Sequence, residues 1–158
     1  MLTADANDLE ALTTLCHSTQ VILSTVGPYD LYGEPLVKAC CQTGTDYCDL
    51  TGEMHWIKRM QEKYSAVAVN SGARIVHACG FDSIPSDCGV HFLQKLSAQQ
   101  HGKACSTVNM RVKRISGGLS GGTIASMLNM MKKIIKDPSL REETVSYTHL
   151  RSNETPEH

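Results

Sequence analysis

Three short stretches carry the residue types that could do chemistry: Ser24-Thr-Val-Gly-Pro28, Leu50-Thr-Gly-Glu53 and Gly80-Phe-Asp-Ser-Ile-Pro-Ser-Asp87. Each follows a short run read as a strand, and each precedes a segment with helical spacing. Open α/β sheets bind ligands where parallel strands end, so three such endings on one side would form one crevice. Gly27 permits close approach of backbone to a ligand, and Pro28 stiffens the turn, although Gly-Pro also simply ends strands. Asp82 or Ser83 can cap the helix that opens near Pro85, leaving the remaining polar groups to hold a substrate or a ribose. Glu53 can complement the dipole of the helix that follows it.

Gly118-Leu-Ser120-Gly-Gly122 matches G-x-S-x-G, the turn that exposes a nucleophilic serine between a strand and a helix. The preceding stretch alternates rather than being fully apolar, and no triad partners follow. A glycine hinge with Thr123 capping a helix is the better reading, and a serine hydrolase using Ser120 is the alternative. No lysine follows the glycines, so this is not a phosphate-binding P-loop. Of the seven cysteines, most sit in apolar runs and none forms C-x-x-C, which fits reduced, buried thiols in a cytoplasmic protein. His77, Cys79, Cys88 and His91 could be recruited to zinc, but their spacing is not that of a ribbon or finger, so no metal is expected.

These stretches need a scaffold. The chain has 158 residues, 41% hydrophobic and 20% charged, with 15 basic against 16 acidic residues. That is a globular composition with nothing to draw it to nucleic acid or a membrane surface. No apolar run approaches the ~20 residues of a membrane span, and Met1–Asp5 lacks the features of a signal peptide. Asn7 or Asp8 is expected to cap a helix through His17, with Leu9, Leu12, Leu15 and Cys16 on one face. Strands are expected at Val21–Thr25, Thr45–Leu50 and Ala73–Ala78, all buried. Helices are expected from Gly33-Glu-Pro35 to Gly44, from Glu53 to Ser71 (Ile57, Met60, Tyr64, Val67 inward), and from near Pro85 to Leu96. Strands alternating with helices over short linkers imply a parallel sheet. Ser97–Lys103 reads as a loop, and Val108–Ile115 as a half-exposed strand. Thr123–Lys136 reads as a helix with Ile124, Met127, Leu128, Met131, Ile134 and Ile135 inward. Residues from about 144 lack periodicity and are expected to be disordered or foreign to the fold.

Taken together, Ala4-Asp5, Val21–Leu50 with Thr-Val-Gly-Pro-Tyr and Tyr-Gly-Glu-Pro-Leu-Val-Lys-Ala-Cys, Tyr-Cys-Asp-Leu-Thr-Gly-Glu, Gly80–Asp87 and Ser120-Gly-Gly-Thr123 resemble the saccharopine dehydrogenase-like oxidoreductases. The likeness is greatest to the branch that includes trans-acting enoyl reductases, and it covers roughly residues 1–143. It implies a Rossmann-type domain binding NAD or NADP and a second domain holding the substrate. Asp5 would lie beside the adenine end of the dinucleotide. Ser24, Thr25, Val26, Gly27 and Pro28 would line the pyrophosphate and nicotinamide side, while Phe81, Asp82 and Ser83 would border the substrate. No catalytic acid or base is assigned.

Members of that family open with a strand, a G-x-G-x-x-G turn and a helix, a unit not found here. The expected fold is therefore α/β: a partial Rossmann-type parallel sheet over 1–96, lacking its first βαβ unit. The start of an α+β second domain would occupy 97–143, and a non-native tail 144–158. The expected function is that of a fragment of an NAD(P)-dependent oxidoreductase, passing hydride to a C=C or C=N bond of a small-molecule or lipid-linked substrate. The alternative is a non-catalytic binding or structural remnant. The bare edge of the Val21 strand would favour self-association.

Overall fold

The computed structural model describes residues 4–114, 117, 118 and 121–136. The chain begins with α1 (Leu9–His17), capped by Asp8, whose carboxylate accepts the N–H groups of Glu10 and Ala11. β1 (Val21–Ser24) follows, then a short helix, α2 (Tyr29–Tyr32), and α3 (Glu34–Thr43). β2 (Asp46–Asp49), α4 (Met54–Ser71) and β3 (Ile75–Val76) complete the first half. α5 (Ile84–His101) and α6 (Gly121–Lys136) come last. Gly44 and Gly72 end α3 and α4 in the left-handed region, with φ of +76° and +81°. Glycine adopts that conformation without the clash a side chain would bring.

The sheet is parallel, in the order β1-β2-β3. Its register sets Ile22, Tyr47 and Ile75 on one face and Leu23, Cys48 and Val76 on the other. α1, α3 and α4 pack on one another over the first face. The core there comprises Leu12 and Cys16 from α1, Val37, Ala39, Cys40 and Cys41 from α3, Tyr47 from β2, and Trp56, Ile57, Met60 and Tyr64 from α4. Gly33 lets α2 and α3 close on α4: a Cβ there would stand 2.7 Å from the Trp56 ring.

The second face differs from expectation. Parallel strands are normally covered on both faces. Here Val21 is 52% exposed, Leu23 60% and Val76 51%, so the strands are not buried throughout. No described helix lies over them, and β1 has no partner on its outer side among the described residues.

Other expectations are corrected too. α2 was not foreseen. β3 has two residues rather than six, and Val67 is exposed while Ala68 takes the inward position on α4. α5 runs through Ser97–His101, which is therefore helix rather than loop, and Gly102 ends it. Residues 106–114 form no strand. α6 starts at Gly121, placing Thr123 inside its first turn, and Ile124, Met127, Leu128, Met131 and Ile135 face outward instead of inward. Ser120 and residues 137–158 lie outside the described residues.

Candidate functional site

The parallel order brings the carboxyl ends of β1, β2 and β3 to one rim. Three chain segments leave it: Thr25–Asp30, Leu50–His55 and His77–Ser83. Tyr29 fastens the first two together. Its hydroxyl donates to the Ser24 carbonyl (3.0 Å) and accepts the Leu50 N–H (3.3 Å), and burial pushes its pKa up, so it stays neutral.

Glu53 is the centre of the rim. It is buried, and its carboxylate accepts the N–H of Tyr29 at Oε1 and of Asp30 at Oε2, both at 3.0 Å, and the Ser126 hydroxyl at 2.8 Å. It precedes α4 but makes no side-chain cap bond to it. It holds the first turn of α2 instead, which Pro28 cannot cap. The loop that carries it is preset by two local turns: the Thr51 N–H donates to Asp49 Oδ1 (3.1 Å), and the Glu53 N–H to Thr51 Oγ1 (3.1 Å).

Asp30, next in line, collects positive charge. Arg59 donates to Oδ1 at 2.8 Å, Lys133 pairs with Oδ2, and His55 Nε2 lies 3.6 Å from Oδ2. His55, with Lys133 and Arg59, holds this carboxyl well below the usual carboxylate range, although its burial opposes them. Asn129 adds a longer contact of 3.3 Å. α6 therefore docks through the half-buried polar stripe Ser126, Asn129 and Lys133, with its apolar stripe outward.

The third segment is strained. Ala78 has φ +57°, unusual for a residue with a side chain, and its N–H donates to Asp49 Oδ1 at 3.0 Å. The Cys79 N–H donates to the Asp49 carbonyl at 2.7 Å. These bonds turn the chain out of β3 so that Gly80 comes beside Leu50.

Of the residues expected at the site, Ser24 and Pro28 are buried, Thr25 and Val26 are exposed, and Gly27 abuts Ser126. Phe81 is 82% exposed, and Asp82 and Ser83 flank it at the start of α5. Ser83 is the residue preceding that helix but makes no side-chain cap bond, contrary to expectation. Asp5 is exposed and uses Oδ1 for Asn7. The β1 and β3 endings both reach the Asp49–Glu53 segment, from opposite sides, and Asp5 is not joined to either. Asp30, Asp49, His55 and the α6 residues were missed. Only Asp49 carried a signal, standing at the end of a stretch read as a strand.

Of the residues weighed for zinc and set aside, His77 has its Nδ1 on Asp49 and Cys88 is exposed. Asp30, Glu53 and His55 do gather within 4.8 Å. Their oxygens, however, are already filled by N–H, hydroxyl, guanidinium and ammonium donors, and two of those are cations that would repel a metal ion. A wider cleft of about 570 Å³ lies at the opposite end of the sheet, lined by His17, Thr19, Gly44, Asp46 and Arg74. It is at the amino ends of the strands, away from the rim where such sheets bind ligands. No described helix is long and apolar enough to cross a membrane.

The chain is similar to three mycobacterial proteins in particular. One, from Mycobacterium tuberculosis, is provisionally named a trans-acting enoyl reductase. It is 45% identical over 143 residues, 90% of this chain and 34% of the relative. The trans-acting enoyl reductase of Mycobacterium ulcerans is 42% identical over 139 residues, 87% of this chain and 33% of the relative. Its M. tuberculosis namesake is 41% identical over 142 residues, 89% and 34%. The chain thus spans about a third of the length of the curated relatives it matches. No family model and no solved structure matches it.

Proposed function

We propose that this chain is the sheet-bearing part of a nicotinamide-dependent enoyl reductase of the saccharopine dehydrogenase-like type, with the rim of β1, β2 and β3 bordering nicotinamide and substrate. The observation that carries this reading is identity of 41–45% to proteins named trans-acting enoyl reductase over 87–90% of the chain. The motif residues that gather at the strand ends add to it.

The rim fits a dinucleotide in part. Thr25 and Val26 are exposed, so a flat ring can approach the loop there, while Gly27 faces Ser126 and the Tyr29 ring. Phosphate is not accommodated at α2, because Glu53 already occupies its first two N–H groups with a negative charge. The pyrophosphate therefore falls to other parts of the longer protein. Bound at the rim, the nicotinamide supplies hydride to one carbon of an enoyl C=C while a proton adds to the other. This chain's own contribution is orientation. Glu53 and Tyr29 fix the Thr25–Pro28 loop, and Ala78 and Asp49 aim the Cys79–Ser83 segment. Exposed Phe81 offers apolar contact to an acyl or lipid-linked substrate, with Asp82 and Ser83 as polar neighbours. All seven cysteines are free, which suits the reducing cytoplasm.

The test is a chimera carrying this chain with the remaining two thirds of the M. ulcerans relative, assayed with an enoyl thioester and either NADH or NADPH. Oxidation of one of them supports the reading. A folded chimera that binds and oxidises neither sinks it. The second reading, a non-catalytic binding or structural module, is favoured by the filled N-terminus of α2 and the bare sheet face. It predicts the same chimera folded and inert.

A further inference from the structure

A second cleft, of about 420 Å³, opens between α4 and β3 with α3 behind it. Val37, Met60, Ala68 and Ile75 give it apolar walls, and one imidazole, His77, lines it. That ring is held on several sides. Nδ1 lies 2.6 Å from Asp49 Oδ2. Asp49 is fully buried, and its other oxygen already accepts the N–H groups of Thr51 and Ala78. Nδ1–H donates to Asp49 Oδ2 in this pair, and in the neutral imidazole Nε2 is then the acceptor. The indole of Trp56 stands edge-on at 5.0 Å and the Tyr47 ring at 5.8 Å, which fixes the imidazole plane. The His77 side chain is only 5% exposed, and no hydrogen bond to Nε2 is seen among the described residues.

We propose that this cleft binds a small, mainly apolar molecule whose hydroxyl donates to His77 Nε2. The chemistry selects against the other classes. An anionic head would meet the charge of Asp49 directly behind the ring. A metal would find one imidazole whose Nδ1 is already committed to Asp49, and His77 belongs to no three-ligand cluster among the described residues. A wholly apolar guest would leave a buried acceptor without a donor, a cost that a hydroxylated guest removes. The site lies on the helix-covered face of the sheet and shares Asp49 and His77 with the chain leaving the strand-end rim, so its test reads the cleft directly rather than turnover.

The test uses the full chain with 15N-labelled histidine and two probes of nearly equal shape, p-cresol and toluene. The account expects p-cresol to shift the His77 Nε2 resonance and to bind about tenfold more tightly than toluene, as a site built around a hydroxyl discriminates against its absence. In His77→Asn the side-chain amide still donates to Asp49 but no acceptor stands at the position of Nε2, so the preference should fall below about threefold. Ser65→Trp, at the exposed mouth, should exclude both probes without touching the dyad. Equal affinities in the unaltered chain, no binding of either probe, or p-cresol shifts that survive Ser65→Trp would each overturn the proposal.

Discussion

Two carboxylates on the rim have opposite partners, and the difference sets what substitution should do. Glu53 is held by neutral donors, two backbone N–H groups and a hydroxyl. Glu53→Gln leaves at least one of those N–H groups facing an amide NH2, and should cost about 1–3 kcal/mol of stability in urea unfolding. Asp30 is held by charge, and its lowered pKa means that the folded chain keeps it ionised where the unfolded chain would protonate it. Its contribution is therefore complete above the ordinary aspartate value of about 3.9 and is lost as pH falls from there towards the lower folded value. Unfolding measured between neutral and acid pH should show Asp30→Asn less stable than the parent at pH 7, with the gap closing in acid. A gap that widens in acid would contradict this assignment. Little of this was legible beforehand. Gly27 and Pro28 announce a strand end by type alone. Asp30 looks like any surface acid, because its partners Arg59 and Lys133 lie far along the chain and only folding unites them.

α3 and α4 were readable because their punctuation is local. Gly44 and Gly72 follow amphipathic runs and take the left-handed conformation that ends them. The two glycines are nonetheless not equivalent. A Cβ at Gly44 would stand 2.9 Å from the Ser71 carbonyl oxygen, whereas at Gly72 it would meet nothing within 4 Å. Gly72→Ala should cost about 1–2 kcal/mol from its φ alone, and Gly44→Ala clearly more, measured by the same unfolding curves. α5 outran its expected end because Ser97–His101 contains no breaker before Gly102. Residues 108–114 alternate as a strand would, but alternation becomes a strand only through pairing, and no partner strand reaches them. α6 shows the same limit. Its periodicity gave the helix but not the side that docks, because its anchors are ion pairs and hydrogen bonds to Asp30 and Glu53.

At the scale of the molecule, one face of the sheet is finished and the other is not. The bare β1 edge and the exposed Val21, Leu23 and Val76 form a continuous apolar surface of the kind that drives association. Light scattering should find this chain self-associating, and Leu23→Lys should shift it towards monomer while leaving the unfolding midpoint nearly unchanged. The parallel sheet itself was legible, since apolar runs alternated with helical ones. The bare edge of β1 followed from the resemblance, whereas the exposed second face was not expected from it or from any pattern in the chain. The functional account rests on which end of the sheet receives the dinucleotide, and amide chemical shifts on NADPH titration of the 15N-labelled chain decide that directly. Perturbations confined to Thr25–Gly27, Leu50–Glu53 and Cys79–Ser83 are the predicted result. Shifts centred instead on His17, Thr19, Gly44 and Asp46 at the opposite end would contradict it.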